Sequence, residues 1–134
     1  MNYASLSSSI QTLFSQSAWT SKNINIYPDN YQGKIATKDE YGRINILPTS
    51  SRNAIFGGGK GYDGTVIVSL YVKAGEGQSR LMVLGDHLDD ILQNKVLTNG
   101  LELGTSYINV LGLDTANTSL YSGQYIIPFK SYGE

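Results

Sequence analysis

The sequence predicts an α+β domain in which two helices pack on one face of a mixed, mainly antiparallel sheet of about five strands. Two segments repeat apolar residues every three or four positions, and five shorter segments are rich in β-forming residues. Their order is helix, three strands, helix, two strands, which is typical of helices that cover one side of an antiparallel sheet. The 134 residues contain no visible repeat or linker, so we expect a single domain over 1–134.

Both helices are indicated by the spacing of their apolar residues. In the first, polar serines and glutamines separate Tyr3, Leu6, Ile10, Leu13 and Phe14. The second is expected to begin at an N-cap, Ser79, and to run to the break at Asn99-Gly100. Each helix presents one apolar stripe to the sheet. In the second helix this stripe consists of Leu81, Leu84, Leu88, Ile91 and Leu92.

Five strands are predicted from alternation and from their flanking turns. Residues 23–27 alternate around two isoleucines and stop at a Pro-Asp-Asn turn, and residues 43–47 form a strand closed by Pro48. Residues 65–73 (TVIVSLYVK) are apolar on both faces, so we expect this strand to lie centrally in the sheet. Residues 107–113 and 120–129 complete the set and are joined by a polar turn.

Residues 49–64 contain no periodic apolar pattern. A loop of this length is uncommon in a compact domain unless it is functional or disordered. It carries Ile55 and Phe56, followed by four glycines around Lys60. We therefore expect an arm with an aromatic tip and a positive charge, mobile in the free subunit and ordered by a neighbouring molecule on assembly.

Composition and charge argue against several classes of protein. Eleven acidic and ten basic residues give a net charge of −1, which disfavours nucleic-acid binding that depends on phosphate contacts. The chain has no cysteine, which excludes disulfides and zinc–thiolate sites. The N-terminus lacks the pattern of a signal peptide, and no apolar run is long enough to cross a membrane. Synthesis in the cytosol without a targeting step is expected.

A nucleotide-binding loop is considered because of the segment GGGKG. Ala54 stands where a phosphate-binding loop needs its first glycine, and Gly61 follows Lys60 in place of serine or threonine. A strand, not a helix, is predicted to follow, so no helix N-terminus faces the phosphate. The segment does not predict a bound nucleotide.

The histidine of the chain, His87, lies among Asp86, Asp89 and Asp90 in the second predicted helix. This grouping could suggest a metal site or a general base held by a carboxylate. One helix supplies too few converging ligands, so a solvated helix face that points outward is the preferred interpretation. No nucleophile and base pair is visible either. We expect no enzymatic activity, no metal ion and no cofactor.

The distribution of charge points to assembly. Residues 1–80 carry eight basic and five acidic groups (+3), whereas residues 81–134 carry two basic and six acidic groups (−4). If the long loop of one subunit lay on the second helix of its neighbour, opposite charges would meet and head-to-tail contacts could close a ring. Chance scatter of exposed charges is the alternative. The predicted interface residues are Arg52, Phe56, Lys60, Asp86, Asp89 and Asp90.

The order of these elements resembles the tail terminator proteins of long-tailed bacteriophages. The resemblance spans nearly the whole chain and is one of order and pattern, with no single diagnostic motif. It is carried by the amphipathic first helix, Tyr27-Pro28-Asp29-Asn30, Leu47-Pro48, the long loop, the strand from Gly64 to Val72, Gly75 and Gly77 before the second helix, and Tyr125-Ile126-Ile127-Pro128-Phe129. The run from Gly57 to Gly61 has no counterpart in the family pattern.

This resemblance implies a structural protein of the virion, assembled in the cytoplasm of a host bacterium. In the family, six copies form a ring that caps the tail tube and offers a docking surface to the head connector. The implied partners are therefore other copies of the chain, the tail tube protein and a head connector or neck protein. Two alternatives stay open: another phage neck or head-closure protein, or a carbohydrate- or peptide-binding module built on the tyrosine-rich sheet.

Overall fold

Among the residues that the structure describes, two helices and a six-stranded mixed sheet form an α+β arrangement, which confirms the predicted class. The computed structural model describes residues 3–15, 19, 25–28, 40–53, 60–73, 75, 79–97, 100–113 and 120–131, and for residues 3, 25, 28, 50–53 and 60 it describes the backbone only. The strands are β1 (Asn25–Pro28), β2 (Tyr41–Asn53), β3 (Lys60–Lys73), β4 (Leu101–Leu103), β5 (Tyr107–Leu113) and β6 (Leu120–Ser131).

The sheet has the order β1-β2-β3-β6-β4, and β5 pairs with β6 beyond β4 along the same edge. The β1–β2 pair is parallel and the other pairs are antiparallel. β3 is therefore central, as its apolar composition predicts. Its side chains Val66, Val68, Leu70 and Val72 are fully buried on one face, because the helices cover that face. On the other face Ile67 and Tyr71 are half-buried.

Helix α1 (Tyr3–Thr12) continues into one turn of 3-10 helix (Leu13–Ser15), and α2 spans Ser79–Leu92. The predicted apolar stripe of α2 is confirmed, since all five of its leucine and isoleucine side chains are buried. Leu6, Ile10 and Leu13 join them in one core with the buried residues of β3 and β6. The two helices thus lie side by side on the same face of the sheet.

Helix α2 runs antiparallel to β3. Leu81, near the start of α2, lies over Gly123, which pairs with Leu70 in the C-terminal half of β3. Asn94, after the end of α2, donates its backbone N–H to the Gly104 carbonyl. Gly104 is bonded to Pro128, which pairs with Thr65 in the N-terminal half of β3. Near the N-terminal end of α2, the Arg80 guanidinium bonds the Glu40 carboxylate through two nitrogens, one of them at 2.6 Å. This bidentate pair joins the helix to the residue that precedes β2.

The predicted loop at 49–64 is wrong at both of its ends. β2 continues past Pro48 to Asn53 and β3 begins at Lys60, so residues 49–53 and 60–64 belong to one antiparallel hairpin. Pro48 does not close the strand because it lies next to an irregularity between Pro48 and Ser50, on a part of β2 that pairs only with β3 among the described strands. Residues 54–59, with Ile55 and Phe56, lie outside the described residues.

The second helix ends earlier than predicted. It stops at Leu92 because Asn94 adopts the left-handed conformation, with φ of 55°, that commonly terminates helices. Residues 95–97 then return along β4 through a bridge between Val96 and Glu102 and a backbone bond from Leu97 to the Leu101 carbonyl. Strand β4 is the sixth strand, and three residues are too few to produce an alternating pattern in the sequence.

Candidate assembly interface

The end of the β2–β3 hairpin forms a two-stranded ribbon that extends past β6. The last pair between β3 and β6 joins Asp63 to Lys130, whereas the β2–β3 ladder continues through Tyr62, Gly61 and Lys60. We call residues 51–53 and 60–62 the basic ribbon. Arg52 pairs with Gly61, in the ladder position next to Lys60. Two of the predicted interface residues are thus brought together by backbone pairing, and the third, Phe56, lies outside the described residues.

The outer surface of α2 carries the acidic half of the predicted interface. Asp86 and Asp90 are exposed, and because they are four residues apart they are neighbours on the surface of the helix. Gly85 packs against Ile108 of β5, so the flank of α2 next to Gly85 faces β5. At 100° per residue, Asp86 and Asp90 both lie on the solvent side of α2, opposite its buried stripe. We call these two residues the acidic flank.

The prediction that Asp89 points outward is wrong. Its Oδ1 accepts a hydrogen bond of 2.5 Å from the Tyr125 hydroxyl and lies 2.5 Å from the Ser106 hydroxyl, which also donates to it. The Ser106 backbone N–H in turn donates to Gln93 Oε1 at 3.3 Å. Asp89 therefore fastens α2 to β6 and to the β4–β5 connection. The interval of four residues from Gly85 to Asp89 could have shown that both lie on one flank.

Burial is the main cause that raises the pKa of the Tyr125 hydroxyl above its ordinary value, and the hydrogen bond to Asp89 adds to it. A neutral phenol is a donor, and the carboxylate accepts only while that proton is present. The pair is therefore fixed in the protonation state that joins the helix to the sheet. It is a structural contact between α2 and β6.

His87 is half-buried, and its Nδ1 is buried with no hydrogen-bond partner among the described residues. Within that part of the chain, no three His, Asp or Glu side chains are grouped so that they could hold a metal ion. None of the helices that the structure describes is long and apolar enough to cross a membrane.

Sequence reasoning missed an exposed apolar edge at β5. Tyr107, Leu111 and Leu113 are 59%, 58% and 57% exposed, although they belong to a strand. The strand contains no charged residue and no proline, which are common protections of sheet edges. A bulge at Gly112, whose φ is 102°, is the one irregularity in its pairing with β6. The absence of charge in YINVLGL was the available signal.

The tyrosine-rich side of the sheet is the face opposite the helices. There the Tyr41 and Tyr71 rings stack with their centroids 4.8 Å apart, and Tyr27 meets Tyr41 edge to face at 6.0 Å. Tyr41 is only 7% exposed. These rings contact one another, so they stabilise the β1–β2–β3 part of the sheet through aromatic pairs.

A cleft of about 540 Å³ opens beside the base of the basic ribbon. Asp63 and Glu102 both pair with Lys130 across the strands that line it, so its charges are mixed. Val96, which is 70% exposed, forms part of its rim. Its lining has no set of groups that would select one kind of ligand.

Comparison with known proteins supports the fold alone. No protein-family model matches the chain, and no curated protein matches it significantly. Among solved structures, a chain that bears only a systematic identifier aligns with a TM-score of 0.58 and 16% identity, over 90% of this chain and 85% of that one. At such low identity the similarity extends to the arrangement of helices and strands and carries no function.

Proposed function

We propose that this chain is a ring-forming structural subunit that caps the tail tube of a bacteriophage and joins it to the head connector. The family resemblance supplies the biological setting. The observation that carries the proposal is the placement of opposite charges: the basic ribbon extends from the β2–β3 side of the sheet, and the acidic flank lies on the outer surface of α2, which packs over β6 and β5.

This placement favours contacts between copies over contacts within one chain. Three strand spacings separate β2 from β5, roughly 14 Å, and the ribbon extends away from the sheet. A contact between two different surfaces of a subunit is head-to-tail, and it closes into a ring when the rotation between copies permits. The fit between the charges then sets the orientation and the rate of association more than the affinity.

A charge-reversal experiment tests this arrangement. The first variant carries Arg52→Glu and Lys60→Glu, and the second carries Asp86→Lys and Asp90→Lys. Each variant alone brings like charges together at every contact, so we expect neither to form rings. An equimolar mixture is expected to form rings again, because the two kinds of subunit can alternate. Native mass spectrometry would then show three of each in a ring of six.

Lys73→Glu with Lys95→Glu is the matched control, since it reverses two basic residues that are exposed and lie outside both surfaces. We expect this control to form rings by itself. Thermal unfolding of every variant checks that the fold is intact. Rings from either charge-reversed variant alone would show that the basic ribbon and the acidic flank do not meet.

The role in the tail needs a second measurement. Tail tubes incubated with the wild-type protein are expected to carry a ring at one end, visible by electron microscopy, and to become competent for joining to heads. The variant with Arg52→Glu and Lys60→Glu should leave the tube ends bare. If the wild-type protein forms rings that never bind a tube end, ring formation would stand and the tail role would be wrong.

The alternative of a carbohydrate-binding module has weaker support. Sugar binding on an aromatic platform needs accessible ring faces. Tyr41 is 7% exposed and stacks on Tyr71, so this pair does not offer such a platform. Another neck or head-closure role uses the same ring and differs only in its partner, which the tube-binding measurement addresses.

A further inference from the structure

We infer that a cavity between α1 and the β1–β2 edge of the sheet is a binding site for one small, uncharged aromatic molecule. The cavity has a volume of about 170 Å³, and among the described residues it is lined by Gln11, Phe14, Ile26 and Ile44. We call it the α1–β1 cavity. The inference goes beyond the proposed ring and does not depend on it.

Two strands form the floor of the α1–β1 cavity. Ile26 of β1 pairs with Gly42, and Pro28 pairs with Ile44, so the two isoleucines are diagonal neighbours on the face that the helices cover. Gly42 leaves the space that Ile26 occupies, because a Cβ on Gly42 would lie 2.8 Å from Ile26 Cδ1. The floor therefore consists of aliphatic side chains that strand pairing holds in place.

The end of α1 forms the wall of the cavity. Gln11 lies in the last turn of α1 and Phe14 in the 3-10 turn that follows, and residues three apart are neighbours on a helix surface. The Phe14 ring meets the Trp19 ring edge to face, with the centroids 5.4 Å apart. Trp19 is 3% exposed, so this contact holds Phe14 against the core. The aromatic part of the wall is thus fixed by packing within the chain.

The size of the α1–β1 cavity sets the size of the ligand. An apolar cavity of about 150 Å³ that is lined by aliphatic and aromatic side chains accepts one benzene molecule. The lining of the α1–β1 cavity is of the same kind, with two isoleucines and a phenylalanine. It therefore has room for one six-membered ring and not for a larger ring system.

The polarity of the lining excludes charged ligands. None of the four lining residues is charged, so an ionised group would lose its hydration without gaining a counter-charge. The Gln11 carboxamide is the one polar side chain among the four, and its nitrogen donates to the Ser7 hydroxyl at 3.2 Å. The carboxamide oxygen is then an acceptor for a ligand hydroxyl. Benzene and phenol fit this lining, whereas benzoate does not.

The surroundings of the cavity favour a free molecule over a side chain of a partner protein. A stable protein interface buries about 800 Å² on each partner, with an apolar centre. None of the large apolar side chains that are exposed in the described residues belongs to α1 or β1. The described residues of α1 that face solvent are small or polar. The cavity is therefore an isolated apolar site on a polar surface.

An NMR titration of the full-length protein with benzene tests the inference, with the isoleucine methyl groups labelled. The methyl signals of Ile26 and Ile44 are expected to shift and to saturate, whereas that of Ile67, on the opposite face of the sheet, should not move. A ligand of this size should bind in about the millimolar range. Saturating benzene should raise the thermal unfolding midpoint by about 3 °C or more. Phenol should give the same shifts, and benzoate should give none.

A substitution on the exposed wall supplies a second test. Gln11→Phe fills the cavity from the helix side, and the fold should tolerate it because Gln11 is exposed. We expect this variant to lose at least about tenfold in benzene affinity. Thr12→Phe is the matched control, since Thr12 is exposed on the same helix and does not line the cavity. The control should bind benzene as the wild-type protein does.

The outcomes separate this site from the proposed ring. Unchanged Ile26 and Ile44 signals at saturating benzene, equal binding of benzoate, or full binding by Gln11→Phe would each overturn the site. Tighter binding of N-acetylphenylalanine amide than of benzene would show that the cavity accepts a peptide side chain, and would overturn the assignment to a free molecule. Rings that do not bind benzene would remove the site and leave the ring, and monomers that bind it would do the reverse.

Discussion

The contact between Asp89 and Tyr125 gives the sharpest prediction about stability. Asp89→Ala removes the acceptor of two hydrogen bonds, from Tyr125 and from Ser106, each 2.5 Å long. The Tyr125 side chain is fully buried, so its hydroxyl would lose its carboxylate acceptor while it remains buried. An orphaned buried donor costs about 1–3 kcal/mol, and the lost bond from Ser106 adds about 1 kcal/mol. We expect Asp89→Ala to lower the free energy of unfolding by about 2–4 kcal/mol.

Urea unfolding of the purified protein measures this difference. Asp86→Ala is the matched control, because Asp86 is three residues away on the same helix and is exposed. The control should change stability by less than about 0.5 kcal/mol. A double-mutant cycle with Tyr125→Phe is expected to give a coupling energy of about 1–2 kcal/mol. Equal effects of Asp89→Ala and Asp86→Ala, or a coupling energy near zero, would refute the placement of Asp89.

Three further predictions follow from the core and from Tyr125. Leu88→Ala removes a fully buried side chain of α2 and should cost about 2–5 kcal/mol by urea unfolding, whereas no loss would show that α2 faces the other way. Gly64→Ala should cost at least about 2 kcal/mol, since its Cβ would lie 2.3 Å from the Leu47 carbonyl oxygen and 2.6 Å from the Phe129 ring. A normally stable Gly64→Ala protein would contradict this packing. The pKa of Tyr125 is raised in the folded state, so the contribution of Tyr125 to the free energy of unfolding is complete below pH about 10. Above that pH the contribution declines by about 1.4 kcal/mol per pH unit. Tyr125→Phe should lack this part of the alkaline decline, and identical pH profiles for the two proteins would contradict the shift.

Much of the fold follows from apolar periodicity. The stripe of α2 and the alternation in β3 both follow from burial on one face, so the sequence predicts the helix, the central strand and their contact. The boundaries do not follow in the same way. The extension of β2 past Pro48 and the start of β3 at Lys60 depend on cross-strand pairing between residues with no apolar pattern, and pairing is not visible in a single sequence.

The candidate interface could be predicted only in part. The opposite charges of the ribbon and the helix are visible in the sequence, and the structure places Arg52 beside Lys60 and exposes Asp86 and Asp90. Asp89 was misassigned because its partners, Ser106 and Tyr125, are distant in the chain. The β5 edge was missed because an apolar strand predicts burial, and whether an edge is covered depends on the order of strands in the sheet.

Native mass spectrometry of the wild-type protein tests the proposal that copies of this chain form a closed head-to-tail ring. We expect a single discrete oligomer, a hexamer by family resemblance, either for the protein alone or for the protein released from tail tubes. A strict monomer under both conditions would contradict the proposed ring. An open series of oligomers without a preferred size would contradict the closure of the ring.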